Sequence, residues 1–170
     1  MFLASDVLLF GGLFSAYFML RAGSITWGWS PHRHLAIANT VNLLTSTVCF
    51  AAAIAAARDG RISQFRQLTW IGLVLGVIFL GVKAYEYQDD LALALYPRTS
   101  TRIGLYYLLT AVHAAHVVGG LIVSGRLVLA RAKDCSGPAG MLVNRAEAAL
   151  LYWAFLTIVW VIIVVLFYVW

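Results

Sequence analysis

The sequence predicts an all-α polytopic membrane protein, a bundle of five transmembrane helices. Apolar residues make up 62% of the 170 residues and charged residues only 11%, and the mean hydropathy is +0.87. A soluble domain of this length could not bury that much apolar surface, so lipid must act as its solvent. The apolar residues form five long stretches, and the few ionisable side chains inside them are the first candidates for function.

Each apolar stretch is long enough to cross a bilayer as a helix. A transmembrane helix needs about 20 residues and satisfies its backbone hydrogen bonds internally. The alternating segments of a transmembrane β-barrel do not occur in this sequence. We predict one transmembrane domain over residues 1–170, with spans at about 2–20, 36–57, 68–88, 103–125 and 148–170.

The first stretch is predicted to be a span and not a signal peptide, because it lacks a basic n-region and a cleavage site. Asp6 falls only a few residues into this span, which predicts that a turn or tail precedes Met1 in the protein.

Lysine and arginine in the loops predict the orientation. Positive residues concentrate on the cytoplasmic side of short loops. The second and fourth loops together carry seven, and the first and third carry four: Arg58, Arg61, Arg66, Arg126, Arg131, Lys133 and Arg145, against Arg21, Arg33, Arg98 and Arg102. The amino end is therefore predicted inside and the carboxyl end outside. The net charge of +5 belongs to this topology, and the sequence contains no module for binding nucleic acid.

The cysteines and the first loop do not favour a metal site or a disulfide. Cys49 lies in the second span and Cys135 in a loop predicted to be inside, where thiols stay reduced. His32 and His34 form an HxH pair that could bind a metal, but a solvated interfacial loop is favoured.

Four polar residues within or beside the spans are the candidate site residues: Asp6, Glu86, His113 and His116. His113 and His116 are three residues apart and share a helix face. Haem ligation would need an axial ligand from another helix, and no other span contains a histidine. Glu-x-x-His motifs of a di-iron bundle are also absent. Hydrogen-bonded packing histidines are therefore favoured over metal ligands.

Depth in the membrane predicts which of these residues meet. Asp6 is 15 residues from Arg21, and His116 is 14 residues from Arg102. At the helical rise both side chains lie about 21–22 Å from the same edge of the bundle. The sequence therefore predicts a buried pair between Asp6 and His116.

Glu86 lies nearer the outer end of its span, shallower than His113 by about 15 Å on the same arithmetic. Lys83, three residues earlier, is its predicted partner, either as a helix-end ion pair or in a functional role. Tyr106, Tyr107, Tyr168 and Trp170 are predicted in the outer aromatic belt. Small residues spaced by four predict close helix packing at three places: Gly72 with Gly76, Gly12 with Ala16, and Ala115 with Gly119.

One segment in each span resembles subunit III of the haem-copper terminal oxidases. The first resembles a family helix in which serine precedes an acidic residue and an aromatic-rich run, and the fourth resembles His-Gly-Leu-His-Val-x-x-Gly. The third resembles an aromatic-Glu-aromatic element. The order and spacing match over nearly the whole chain: Ser5–Phe10 with Ala16–Phe18, Asn42–Thr47, Tyr85–Tyr87, His113–Gly120, and Tyr152–Phe155 with Val159–Trp160.

The resemblance implies the short five-helix bacterial form, a non-redox accessory subunit in the cell (inner) membrane of a bacterium. It implies no haem or copper in this chain and both in partner subunits I and II. Structural phospholipids, and in some cases a respiratory supercomplex, complete the implied partners. The implied role is to support proton uptake and lasting turnover while the complex reduces oxygen to water and pumps protons. Asp6, Glu86, His113 and His116 would be its influential polar positions.

The last helix departs from the family pattern Trp-His-Phe-x-Asp-x-x-Trp, since Ala154 replaces the histidine and Thr157 the aspartate. This predicts that the polar contacts of those two residues are lost. It also leaves open a subunit III-like protein of a nitric oxide reductase cluster. Two further alternatives are a small ion or proton transporter with Asp6, His113 and His116 as a relay, and a haem-bearing membrane anchor.

Overall fold

The computed structural model describes residues 2–23, 32–129 and 140–169, and these form five helices without a strand. The helices are α1 (Phe2–Ala22), α2 (Arg33–Arg58), α3 (Ile62–Ala92), α4 (Thr101–Leu129) and α5 (Gly140–Val164), and α5 continues as a π-helix over Val165–Val169. All five helices are long and apolar enough to cross a membrane. The predicted all-α fold of five transmembrane helices is confirmed.

The helices extend beyond most of the predicted spans. The largest difference is at α3, where the apolar stretch 68–88 lies within a helix of 31 residues. The apolar pattern ends where polar side chains begin, but the backbone hydrogen bonds of α3 continue through residues 62–67 and 89–92. Asp89 and Asp90 therefore belong to the last turns of α3 and not to a loop. Cys135, Trp170, Arg131 and Lys133 lie outside the described residues.

A short turn joins α2 to α3 and fixes them as an antiparallel pair. Gly60 has a φ of +73°, a conformation that favours glycine. Its N–H donates to the Ala57 carbonyl, and the Arg61 N–H donates to the Ala56 carbonyl at 2.8 Å. These two bonds form a Schellman motif, which satisfies carbonyls at the end of α2.

Polar side chains of α2 donate to backbone carbonyls along α3. Asn39 donates to Phe79 at 3.3 Å, Asn42 donates to Leu75 at 2.8 Å, and Ser46 donates to Gly72 at 2.8 Å. The three donors are spaced i, i+3 and i+7, so they lie on one face of α2. We call these three contacts the carbonyl ladder. In lipid such bonds link helices where the hydrophobic effect does not.

Glycines permit close packing in the middle of the bundle. A Cβ at Gly76 would lie 2.8 Å from Leu121 and 2.9 Å from Trp153, and one at Gly72 would lie 3.0 Å from the Phe50 ring. The prediction for Gly72 and Gly76 is confirmed. On α4 the close approach occurs at Gly120, against Trp153 at 3.0 Å, and Gly119 has only an ordinary contact with Tyr152.

The core forms around α5, which contacts α2 and α4 extensively. Its Trp153 and Trp160 are almost wholly buried. By contrast α1 is the least buried span. A Cβ at Gly12 would meet nothing within 4 Å, so Gly12 makes no close helix contact inside this chain as described. The predicted close packing at Gly12 is therefore wrong for this chain's own helices, because α1 lies at the edge of the bundle.

Candidate functional site: two buried polar centres

The first centre is the pair of Asp6 on α1 and His116 on α4. The Nε2 atom of His116 lies 3.4 Å from Oδ1 of Asp6, and the side chains are only 18% and 7% exposed. The pairing predicted from helical depth is confirmed. Phe10 packs its ring 5.3 Å from the imidazole ring, which helps to keep water away from the pair.

The hydrogen-bond partners of His116 indicate where the protons of this pair lie. Nδ1 of His116 lies 2.7 Å from the Val112 carbonyl, which only accepts, so Nδ1 carries a proton. A hydrogen bond between Nε2 and the Asp6 carboxyl therefore needs a second proton between the two groups. The second carboxyl oxygen, Oδ2 of Asp6, is buried without a hydrogen-bond partner. The pair is a place where one proton can reside deep in the bundle.

His113 has a different environment one turn away. Its side chain is fully buried, and its Nε2–H donates to the Leu156 carbonyl of α5 at 3.0 Å. The ring packs 5.5 Å from both the Phe79 and Trp160 rings. His113 therefore links α4 to α5 and does not join Asp6 and His116.

Three of the four ring nitrogens of the two histidines already face a partner, and Nδ1 of His113 is the fourth. Nε2 of His113 and Nδ1 of His116 each bond a backbone carbonyl, and the other nitrogen of His116 faces Asp6. Within the described ranges, three or more His, Cys, Asp or Glu side chains nowhere form a group able to hold a metal ion. In the first loop His32 lies 2.7 Å from Asp89, whereas His34 is exposed on α2.

The second centre is a buried cluster around Lys83 and Glu86 on α3. Nζ of Lys83 donates to Oε2 of Glu86 at 2.9 Å, to Tyr106 at 2.7 Å and to Tyr168 at 3.3 Å. Tyr106 donates to Oε1 of Glu86 at 2.8 Å. Nζ also lies 4.8 Å from the centre of the Tyr106 ring. We call Lys83, Glu86, Tyr106 and Tyr168 the lysine–glutamate cluster.

The structure confirms the predicted Lys83–Glu86 pair and corrects its setting. Lys83 and Glu86 are only 3% and 1% exposed, so the pair is not a solvated helix-end ion pair and Lys83 does not reach the interface. Tyr106 and Tyr168 are also buried, and their predicted place in the aromatic belt is wrong. Their hydroxyls supply the polar partners that a buried lysine and glutamate need.

Glu86 is shallower than His113, as predicted. It bonds Tyr106, which precedes His113 by seven residues on α4, or about 10 Å at the helical rise. The Asp6–His116 pair and the cluster around Lys83 and Glu86 are therefore two separate centres.

The π-helix at the end of α5 brings three other helices together. Tyr17 of α1 donates to the Leu166 carbonyl at 2.6 Å, and Arg102 of α4 donates to the Phe167 carbonyl at 3.1 Å. Tyr168 itself joins the lysine–glutamate cluster on α3. Consecutive residues of the π-helix thus bond to α1, α4 and α3.

Thr157, which stands where the family pattern of the last helix has an aspartate, makes a polar contact of its own. Thr157 is buried, and its hydroxyl lies 2.8 Å from that of Thr47 on α2. One helical turn further, Nε1 of Trp160 donates to Thr40 at 3.1 Å. The loss of the contacts that the family's histidine and aspartate make stays a prediction, but position 157 keeps a polar role, because a neutral hydroxyl pair links α2 to α5 there.

Sequence reasoning missed Asp90, Arg102 and the tyrosine hydroxyls. Asp90 is 1% exposed and Arg102 is 9% exposed. Asp90 stands four residues after Glu86, and this helical spacing places both carboxyls on one face of α3. That spacing was the signal available in the sequence.

Comparison with known proteins identifies the family. The sequence matches the family model of cytochrome c oxidase subunit III over residues 1–170. The chain belongs to this family. The structure agrees, since the five helices contain the segments that resemble subunit III.

Individual relatives extend this finding. The chain is 30% identical to cytochrome c oxidase subunit 3 of Thermostichus vulcanus, over 99% of the chain and 83% of that protein. It is 31% identical to cytochrome c oxidase subunit 3 of Corynebacterium diphtheriae, over 94% of the chain and 80% of that protein. It is also 29% identical to a heme-copper oxidase subunit I+III of Aeropyrum pernix, over 98% of the chain and 22% of that protein.

Subunit III of a haem-copper oxidase is thus the identity that the comparisons support. Membership implies a complex with the catalytic subunits. Together with the five apolar helices it makes the chain a multi-pass membrane protein.

Proposed function

We propose that this chain is a non-redox accessory subunit that packs on the catalytic subunit and supports proton uptake and lasting turnover of the oxidase. The observation that carries the proposal is the Asp6–His116 pair. It combines a carboxyl and an imidazole within ion-pair distance in a dry part of the bundle. Such a pair can accept or release a proton without a metal.

In this proposal haem and copper reside in the partner subunits. Support comes from the histidines, whose bonding leaves no vacant pair of ring nitrogens directed at a common point. The reduced-minus-oxidised spectrum of the isolated chain should accordingly show no haem band.

Phospholipid and the catalytic subunit would cover the outward faces of the helices. Large apolar side chains such as Leu8, Met19 and Val48 are more than 60% exposed, and these faces need an apolar neighbour in the membrane. In this proposal the amino end lies in the cytoplasm and the carboxyl end outside the bacterial cell membrane, because the loops between α2 and α3 and between α4 and α5 carry more positive residues.

Substitution of Asp6 tests the proposal. Asp6→Ala should leave assembly intact while shortening the turnover lifetime or lowering the number of protons pumped per electron. Glu147→Ala is the matched control, because Glu147 forms an exposed pair with Arg58. An unchanged lifetime and pumping ratio in Asp6→Ala would contradict the role in proton supply.

A tag on this chain identifies the complex itself. Mild-detergent purification should recover a large catalytic oxidase subunit together with haem bands. Recovery with nitric oxide reductase subunits would assign the chain to that enzyme instead. A chain recovered alone, without haem, would favour the transporter alternative.

A further inference from the structure

Asp90 is a buried carboxyl without a matching cation. It lies in the last turn of α3 and is 1% exposed, and its Oδ2 atom has no hydrogen-bond partner. We propose that Asp90 is a proton-binding site that exchanges its proton with the aqueous phase on the side of the α3–α4 loop. This site is distinct from the Asp6–His116 pair and does not depend on the proposed function.

Lys83, the nearest buried cation on α3, has no proton available for Asp90. An ammonium group has three donors. The three protons of Lys83 are directed to Glu86, Tyr106 and Tyr168 at 2.9, 2.7 and 3.3 Å. Asp90 receives no bond from Lys83.

Charge counting gives the same result. The electrostatic neighbours of Asp90 are Lys83, Glu86 and Asp89 on the same helix, and His32 before α2. Lys83 pairs with Glu86 and His32 pairs with Asp89, which leaves Asp90 as the excess carboxyl. Residues 24–31 of the first loop contain no ionisable side chain that could balance it. Three tyrosines also face this region, one each from α3, α4 and α5: Tyr87, Tyr107 and Tyr168.

A proton resolves this imbalance. A buried carboxylate without a partner is costly, and neutralisation removes that cost. The protonated carboxyl also becomes a hydrogen-bond donor. The Tyr107 hydroxyl is a second buried polar group without a partner in the described structure, and it lies within the electrostatic neighbourhood of Asp90.

A partly exposed histidine near Asp90 offers the exchange route. Nε2 of His32 lies 2.7 Å from Oδ2 of Asp89, and the side chains of Asp89 and His32 are 41% and 33% exposed. His32 is thus both an electrostatic neighbour of Asp90 and partly open to water. In this proposal protons exchange between water and Asp90 by way of His32, which makes Asp90 a store for one exchangeable proton.

Infrared difference spectroscopy tests the site on the complex purified through a tag on this chain. The spectrum of the unsubstituted complex minus that of Asp90→Asn at neutral pH should contain the carbonyl stretching band of a protonated carboxylic acid. That band should shift when the sample is transferred to D₂O. Asp89→Asn is the matched control, and its difference spectrum should lack the band. Asp90→Glu keeps an acid at this position and should move the band without removing it.

Two results would overturn the proposal. One is the absence of the band in the Asp90→Asn difference spectrum. The other is a carboxylate band in its place whose intensity depends on the concentration of added NaCl, because this would identify a cation site and not a proton site. The midpoint of thermal unfolding, measured on each variant, verifies that the compared complexes are folded.

Discussion

The hydroxyl of Tyr168 lies 2.5 Å from Oε1 of Glu86, and this contact connects the end of α5 to α3. Tyr106 lies 2.8 Å from the Tyr168 hydroxyl and bonds the same carboxyl oxygen. Each polar atom of the lysine–glutamate cluster thus has a partner from another member. A network of this kind is stabilising only while all its members are present.

Removal of one charge from this cluster should destabilise the chain strongly. Glu86→Leu leaves Lys83 buried without its counter-charge, at a cost of about 3–5 kcal/mol. The double variant Lys83→Met with Glu86→Leu should cost clearly less than the sum of the single variants, because no unpaired charge remains. The free energy of unfolding, measured by titration with denaturing detergent, checks this result.

The exposed pair Arg58–Glu147 is the matched control for the buried pair. The two side chains form an ion pair and are 63% and 38% exposed. Solvent screens such a pair, so Glu147→Leu should cost at most about 1 kcal/mol. A similar loss at Glu147 and Glu86 would contradict the view that burial determines the cost.

Gly76 should tolerate no side chain. A methyl group there would lie 2.8 Å from Leu121 and 2.9 Å from Trp153, so Gly76→Ala should cost about 1–3 kcal/mol through overpacking. Gly81→Ala, on the same helix, is the control, because a Cβ at Gly81 meets nothing within 4 Å. Gly76→Ala should have a lower midpoint of thermal unfolding than Gly81→Ala. Equal midpoints would show that α3 and α5 can separate at no cost.

The carbonyl ladder should contribute modestly at each step. Ser46→Ala removes the bond to the Gly72 carbonyl and should cost about 0.6 kcal/mol, a typical value for hydrogen bonds between membrane helices. Thr45→Ala is the control, since the Thr45 hydroxyl bonds only the Val41 carbonyl of its own helix and faces outward. Unfolding in denaturing detergent distinguishes the two. A larger loss for Thr45→Ala would exclude the ladder as the link between α2 and α3.

The sequence predicts contacts that follow from helical rise and spacing. Counting the rise from the ends of two spans pairs Asp6 with His116, and the spacing of Gly72 and Gly76 indicates a close helix approach. Both relations follow from constants of the helix, which are the same in every protein. Neither prediction needs the arrangement of all five helices.

The surroundings of Lys83 could not be predicted in this way. Tyrosines near the ends of spans occur at membrane interfaces, so the sequence predicts Tyr106 and Tyr168 there. Their burial depends on the rotation of α4 and α5 and on the π-helix, which turns Tyr168 toward Glu86. No single-helix pattern encodes a rotation that arises from packing among several helices. Asp90 is missed for a different reason, since hydropathy excludes it from the predicted span 68–88 although its spacing from Glu86 places it on the same helix face.

The hydroxyl of Tyr17 should stabilise the packing of α1 against the end of α5. It donates to the Leu166 carbonyl at 2.6 Å and accepts from Arg21 at 2.9 Å. Because α1 is the least buried span, loss of a hydrogen bond to α5 should affect α1 more than the other helices. Tyr17→Phe should cost about 1 kcal/mol and speed amide hydrogen exchange in α1 more than in α3. Tyr85→Phe changes an exposed tyrosine on α3 and should leave both rates unaltered. Faster exchange spread evenly over all helices in Tyr17→Phe would mean that the hydroxyl stabilises the whole bundle and not the position of α1.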